Sequence, residues 1–276
     1  MNEYKFNLIE RIENPIYEGG QRLKGQIKIS KIDKPLISLI TVVKNGEKFL
    51  ETAIESLNNQ IYKNFEHIIV DGNSSDKTIE IIKRYDHKID YWFSKNDNGI
   101  YDGFNNGMKL VKGKYLGFLN SDDMLTPNAL EILVKYINKY PNNDFFFGAV
   151  KKHWGVLYGY KPWKINYSWG FYSSHSTGFF IKTESAQKIG KYNLKYKYSS
   201  DYDYFYRMIV KHKMQGIGTK KNELFGHFRR GGYSSTIPFW SHFMEELKIR
   251  KDNNQSVFII ALIFIFKILK NFKRII

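Results

Sequence analysis

The segment Phe118-Leu119-Asn120-Ser121-Asp122-Asp123 constrains this chain more than any other stretch. Tyr115-Leu116-Gly117-Phe118-Leu119 is an apolar run that reads as a buried strand, so two adjacent carboxylates stand where that strand emerges. The pattern occurs once more: His67-Ile68-Ile69-Val70 runs into Asp71-Gly72-Asn73-Ser74-Ser75-Asp76. In open α/β sheets, ligands bind outside the carboxyl ends of the strands. Two acid-bearing strand ends in one half-chain therefore point to a single site. Hard oxygen ligands at such a site suit Mn2+ or Mg2+, ions that usually arrive with phosphates.

The flanking sequence supplies the sheet. After Pro35, Leu36 to Val43 is β-rich, and Phe49, Leu50, Ala53, Ile54 and Leu57 follow at helical spacing. Phe65 to Val70 and Ile89 to Ser94 read as strands. Ser75 or Asp76 can cap a helix carrying Ile79, Ile82 and Tyr85. Tyr101 to Val111 forms a helix with Phe104, Met108 and Val111 on one face. Thr126-Pro127 predicts a helix start, threonine as N-cap and proline in the first turn. Phe145-Phe146-Phe147 returns to strand. Strands alternating with helices predict an α/β fold around a mostly parallel sheet. Past Val150 the alternation fades, leaving strand-like pieces at Val156-Leu157-Tyr158 and Gly178 to Ile181 and a helix from Ser200 to Lys211. The expected organisation is an N-terminal extension (1–34), a catalytic domain (35–240) with halves 35–150 and 151–240, and a C-terminal tail (241–276).

Forty-three Lys and Arg against 27 Asp and Glu give a net charge of +16, which favours an anionic partner. Cysteine is absent, so disulfides and thiolate metal sites are excluded. Met1 to Lys34 is polar and mixed, without an apolar signal stretch, which argues for a cytoplasmic protein. Val257 to Phe266 is wholly apolar and is followed by Lys267, Lys270, Lys273 and Arg274. The run falls short of the roughly 20 residues that span a bilayer. Lys267, Lys270 and Arg274 share one helical face. This predicts an amphipathic helix in peripheral contact with an anionic membrane, at the inner face of the plasma membrane. The alternative is a helix packed on the domain's own core.

The common phosphate loops are missing. No G-x-G-x-x-G occurs. Gly107 to Gly113-Lys114 has five residues between its glycines where a P-loop has four, lacks the following Ser or Thr, and lies between a helix and a strand. Phosphates must then be held by a metal and side chains.

Five segments occur in a telling order: Ser38 to Asn45; Val70-Asp71-Gly72-Asn73-Ser74-Ser75-Asp76-Lys77-Thr78; Ser94 to Asp102 with Asn105-Asn106-Gly107; Asn120-Ser121-Asp122-Asp123; and Ser200-Asp201-Tyr202-Asp203 with Arg207. With them the chain, from Pro35 to Ser235, resembles the inverting family 2 glycosyltransferases. These have the GT-A nucleotide-diphospho-sugar transferase fold; the likeness is to bacterial exopolysaccharide, colanic-acid and O-antigen type enzymes. The resemblance implies a hexosyltransferase-type enzyme with a nucleotide-sugar donor, UDP-linked, and a glycan or lipid-linked glycan acceptor.

It also implies roles. Thr41, Val43 and Asn45 line the nucleotide, and Asp71 reads uracil. Lys95, Asp97, Gly99, Asp102 and Asn105 contact the donor. Asn120 and Ser121 lie beside the phosphates; Asn120 departs from the first Asp of the family's D-x-D. Asp122 is the metal ligand and Asp123 supports it or binds through water. Asp201 is the base that deprotonates the acceptor hydroxyl, although Ser200 replaces the family's Glu. Asp203 points away from Asp201 on a helix and pairs with Arg207. His227 joins the metal or phosphate, Arg229 and Arg230 neutralise diphosphate through planar paired donors, and His175 lies on the acceptor side.

Two other classes fit the residues less well. A basic nucleic-acid-binding module would use aromatics and lysines, yet the acids concentrate at strand ends and the lysines are dispersed, so no nucleic-acid partner is expected. A sugar-phosphate nucleotidyltransferase needs a Gly-rich basic loop that Val42-Val43-Lys44-Asn45-Gly46 does not supply.

Overall fold

A computed structural model describes residues 5–167, 176–229 and 237–275. In chain order the elements are β1 (Tyr17–Gly19), β2 (Ile37–Val43), α1 (Leu50–Asn58), β3 (Phe65–Asp71), α2 (Thr78–Arg84), β4 (Tyr91–Ser94), α3 (Ile100–Lys109), β5 (Tyr115–Phe118), β6 (Met124–Leu125), α4 (Ala129–Lys139), β7 (Phe145–Phe147), β8 (Ala149–Lys152), β9 (Gly155–Leu157), α5 (Lys164–Tyr167), β10 (Phe179–Lys182), α6 (Thr183–Ile189), α7 (Ser200–Tyr206), β11 (Gly216–Gly218), β12 (Leu224–His227), α8 (Phe239–Asp252) and α9 (Val257–Ile275).

The main sheet runs β1-β4-β3-β2-β5-β10-β7-β11. Every residue of β2 and β3 is buried, as expected of strands covered by helices on both faces. The register Val43↔Asp71↔Ser94 aligns the ends of β2, β3 and β4, so their following loops leave at one level. Strand β10 enters antiparallel between β5 and β7, so the second half of the domain completes the first half's sheet. Gly107 is a packing glycine: a Cβ there would lie 2.4 Å from Ile40 Cγ2. Close seating of α3 on β2 thus accounts for the near-miss to a phosphate loop.

The N-terminal segment belongs to the sheet. Strand β1 pairs with β4, Phe6 and Ile12 are buried in the core, and Arg22 pairs with buried Glu66 at 2.5 Å. Two sequence expectations are corrected. Helix α4 starts at Ala129, and Thr126 caps nothing; its hydroxyl donates to the Leu224 carbonyl at 2.6 Å, because Met124–Leu125 has been drawn into a second sheet, β6-β12-β8-β9. Helix α7 stops at Tyr206, and Arg207–Lys211 continues as a wider π turn. There Arg207 reaches back to the carbonyls of Ile189 and Lys191, at 2.7 Å each.

The tail forms a helical hairpin. Phe264 stacks on Phe243 at 5.8 Å, and buried Lys267 pairs with buried Glu246 at 2.9 Å. This corrects the expected basic face: Lys267 points at α8, and burial depresses its ammonium against the pull of Glu246. The outward side of α9 is apolar instead, with Phe258 and Leu269 about 70% exposed.

Candidate active site

The site is built from the loops that follow β2, β3, β4 and β5. Asp71 ends β3 fully buried, and its carboxylate accepts from the Ser94 hydroxyl at 2.6 Å and from the Ser74 hydroxyl and N–H at 2.5 and 3.1 Å. Asn45, in the left-handed region at φ 54°, ties the first loop to the second: its Oδ1 accepts from the Ser75 N–H at 2.9 Å, and its N–H donates to Ser74 Oγ at 2.8 Å. Val43 contributes its carbonyl, which accepts from the Gly72 N–H at 2.9 Å.

Asp97 lies directly over Gly72, where a Cβ would stand 2.6 Å from its Oδ2. Only a glycine lets the third loop close on the second. Burial raises the Asp97 carboxyl above its usual range, against the Gly99 N–H and Lys44, while nearby Asp102 and Asp71 push it further up. Gly99 begins α3 at φ 107°, and Asp102 in the first turn accepts from the Asn98 N–H at 3.0 Å.

The fourth loop carries the paired acids, and the structure treats them differently. Asp123 is buried. Its Oδ2 accepts from the Thr177 hydroxyl at 2.6 Å and the Asn120 amide at 3.0 Å, and its Oδ1 from the Arg229 N–H at 3.0 Å. Asp123 thereby fastens the turn to β10's approach and to the end of β12. Asp122 is half-exposed on the same turn, beside half-buried Asn120 and Ser121. His227 ends β12 opposite Met124, so it stands across the strand pair that leaves the acidic turn. Arg229 lays its guanidinium over the Phe49 ring at 4.4 Å. Arg230 and His175 lie outside the described residues.

Asp201 opens α7. Its Oδ1 accepts from the Tyr202 N–H at 2.8 Å and from the Tyr101 hydroxyl at 3.1 Å. Tyr101 is the second residue of α3, so the donor-side loop and the candidate base meet through one phenol. Asp203 is buried with Arg207 at 2.8 Å and Asn253 at 3.0 Å, facing away as the helix period requires.

Three predicted contacts are placed elsewhere. Thr41 is buried in mid-strand, its hydroxyl 3.0 Å from His67 Nε2; burial drives that imidazole down to about 3, so the pair is a neutral core contact. Asn105 exchanges both amide groups with the Tyr192 backbone, at 2.9 and 2.7 Å, and so joins α3 to the second half. Lys95 donates to the Glu13 carbonyl at 2.8 Å. One residue was missed. Lys152, at the end of β8, is half-buried over the Phe228 ring at 4.4 Å and within electrostatic range of Asp123; burial lowers its ammonium while Asp123 raises it. No sequence signal marked it, since it lies where the α/β alternation fades.

The donor set bears on a divalent ion. Among the described residues, no group of three His, Asp or Glu side chains is gathered to hold a metal. Mg2+ and its like are commonly bound by one or two carboxylates, with substrate phosphates and water completing the shell. Half-exposed Asp122 fits that mode, with His227 opposite Met124 two residues on; Asp123 is already engaged by three protein donors.

Comparison with known proteins agrees with this architecture. A family model described as glycosyl transferase family 2 matches residues 38–205. An uncharacterized glycosyltransferase of Methanocaldococcus jannaschii is 33% identical over 66% of this chain and 67% of its own length. One from Rickettsia typhi is 32% identical over 63% of this chain, and the match spans 59% of that relative. Among solved structures, S. aureus TarS 1–349 in complex with UDP-GlcNAc aligns with a TM-score of 0.61 at 16% identity, over 82% of this chain and 70% of that one. The mannosyltransferase PcManGT from Pyrobaculum calidifontis, in complex with GDP-Man and Mn2+, aligns with a TM-score of 0.61 at 13% identity, over 84% and 69%. The fold is the GT-A fold.

Proposed function

Because this chain belongs to glycosyl transferase family 2, we propose that it is an inverting glycosyltransferase. It moves a sugar from a nucleotide-diphosphate donor, UDP-linked, to a hydroxyl of a glycan or lipid-linked glycan. The observation that carries this reading is the convergence of Asp71, Asp97, Asp102 and the Asp122–Asp123 turn at one level of the sheet, with Tyr101 linking that level to Asp201.

In this reading Asp201 takes the acceptor's proton as the acceptor oxygen attacks the anomeric carbon from the face opposite the diphosphate. The bond to the β-phosphate oxygen breaks, its electrons stay on the diphosphate, and the anomeric centre inverts. Arg229 and Lys152 supply fixed positive charge beside the leaving group. Asp122, with His227, would hold Mn2+ or Mg2+, which when bound neutralises the departing diphosphate. Half-buried Asp97 faces the N–H groups of the base, and Asp71, held by Ser74 and Ser94, fixes the loops beside it.

The same reading places the enzyme peripherally on the inner face of the plasma membrane, in bacterial surface polysaccharide synthesis. What supports this is the outward apolar side of α9 and the lack of any acidic residue after Asp252, where Lys270, Lys273 and Arg274 follow. No helix among the described residues is long and apolar enough to cross a membrane.

A thermal-shift screen of UDP, GDP and UDP-sugars, with and without Mn2+, tests the donor reading. A nucleotide at a hundredfold its dissociation constant adds about 2.7 kcal/mol to the folded state. UDP should raise the melting temperature, and more so with Mn2+. A screen in which no nucleotide shifts it defeats the reading.

A further inference from the structure

Tyr101 has one proton and two acceptors. Its oxygen lies 3.1 Å from Asp201 Oδ1 and 3.1 Å from the Tyr198 carbonyl oxygen. We propose that Tyr101 is the positioning residue of the base: its hydroxyl holds the ionised Asp201 carboxylate in place and turns to the Tyr198 carbonyl once Asp201 has taken the acceptor's proton. This rests on the reading of Asp201 as the base.

The surroundings fit a hinged donor on a rigid mount. The Tyr101 ring stacks on Tyr192 at 5.6 Å, and Tyr192 stacks on Tyr204 at 4.4 Å, so the phenol is fixed by a column of three rings. The alternative acceptor is fixed too, because Glu245 on α8 accepts the N–H groups of Lys197, Tyr198 and Ser199 at 2.6–2.7 Å. Two donors, Tyr101 and the Tyr202 N–H, converge on Oδ1 of Asp201. Two further observations bear on function. Tyr101 lies two residues after Gly99 and one before Asp102, so ordering of that loop by a donor acts on the base through the first turn of α3. A cavity of about 220 Å³ also opens beside Tyr101, lined by Gly99, Leu194 and Lys197 among others.

The titratable and charged neighbours are Tyr192, Tyr196 and Lys197 before α7, Asp203, Tyr204 and Arg207 on α7 and the turn after it, and Glu245 on α8. Arg207 is bonded to Asp203, so its charge is compensated locally. Burial and the Asp201 charge both hold the Tyr101 phenol well above its usual range, which keeps its proton available as a donor.

A hydrogen bond donated to a carboxylate favours the ionised form. Tyr101→Phe keeps the ring column and removes that bond, so Asp201 must titrate at higher pH. The measurement is the pH profile of UDP release from UDP-GlcNAc, UDP-glucose or UDP-galactose, whichever gives the largest thermal shift, with water as acceptor. The acidic limb should move up by about one unit, the scale expected of one hydrogen bond to a charged group. The thermal shift by UDP should stay unchanged. Where release is too slow to profile, titration of 13C-labelled aspartate carboxyls, with Asp201 assigned by its loss in Asp201→Asn, makes the same comparison. Tyr101→3-fluorotyrosine, a stronger donor, should move the titration the opposite way, and serves if the Phe variant does not fold. An unmoved limb and carboxyl titration overturn the role of Tyr101. If Asp201→Asn itself keeps UDP release within a few-fold, the base reading fails instead.

Discussion

The acidic turn after β5 and the start of α7 each carry two neighbouring aspartates, and each divides its pair the same way. Asp122 and Asp201 are half-exposed at the cleft; Asp123 and Asp203 are buried and held by protein donors. The division has a physical cause. A buried carboxylate must be paired or hydrogen-bonded to stay charged, and once so engaged it has little capacity left for a substrate. The half-exposed member of each pair faces the cleft, while its partner fixes the backbone on which it stands. The two regions differ in where the fixing groups come from. On α7, Arg207 is the i+4 neighbour of Asp203. There Asn253, from 50 residues away, adds a neutral donor, whereas in the turn the local partner is Asn120 and the others, Thr177 and Arg229, come from 54 and 106 residues away.

The turn gives the largest expected contrast. Asp122→Ala should abolish transfer and remove the Mn2+-dependent part of UDP binding, since it deletes the half-exposed carboxylate at the cleft. Asp123→Ala should instead lower the melting temperature, because it removes the acceptor that the Thr177, Asn120 and Arg229 donors share. If the two variants behave alike in calorimetry and in UDP binding, the division is wrong.

On α7 the same pairing separates chemistry from stability. Asp201→Asn keeps size and fold but cannot accept a proton, so turnover should fall roughly 10²–10⁴-fold, with donor binding nearly intact. Asp203→Asn leaves Arg207 buried without its counter-charge and should cost about 3–5 kcal/mol of stability, with near-normal turnover per folded molecule. Turnover that survives Asp201→Asn but collapses in a folded Asp203→Asn would exchange the two roles.

Lys152 sharpens the comparison from the side of charge. Asn120 leaves the turn one carboxylate short of the family pattern, and Lys152 adds a cation near Asp123. If Lys152 serves the diphosphate, Lys152→Met should weaken UDP binding about 10- to 100-fold, the scale of a lost charged hydrogen bond, and spare uridine binding. Equal affinity of both proteins for UDP by calorimetry would assign Lys152 to packing on Phe228.

How much of this could be read beforehand followed the distance of the partner in sequence. Local period placed β2 to β5, α1 and α3 well, and i,i+4 spacing paired Asp203 with Arg207. Where the deciding contact is remote, local reading failed. Nothing near Asn105 reveals that Tyr192 takes its amide, and nothing near Thr126 reveals the Leu224 carbonyl that overrides an N-cap. Helical spacing puts Lys267, Lys270 and Arg274 on one face, but spacing says nothing about what that face meets. Glu246 supplied that neighbour and turned Lys267 inward.

That inversion gives the smallest predicted effect and bears on a third locked acid. Glu246 is to the hairpin what Asp123 is to the turn: a buried carboxylate that orients an exposed surface, here the apolar side of α9. Truncating the tail would remove Lys267 and the Phe264 stack together, so a loss of membrane binding could not be told from a loss of packing. Leu262→Glu with Leu269→Glu avoids this, because both leucines are at least half exposed and Ile263, Phe264 and Lys267 stay in place. Fully burying a leucine is worth about 1.5–3 kcal/mol. Partial insertion of two should therefore reduce co-sedimentation with phosphatidylglycerol vesicles about tenfold, with no change in melting temperature. Headgroup attraction contributes about 1 kcal/mol per basic residue near the surface, so high salt should weaken wild-type binding only in part. Binding that high salt removes completely, and that the double substitution leaves unchanged, would show that the membrane reads the protein's net charge alone and that the apolar side of α9 faces something else.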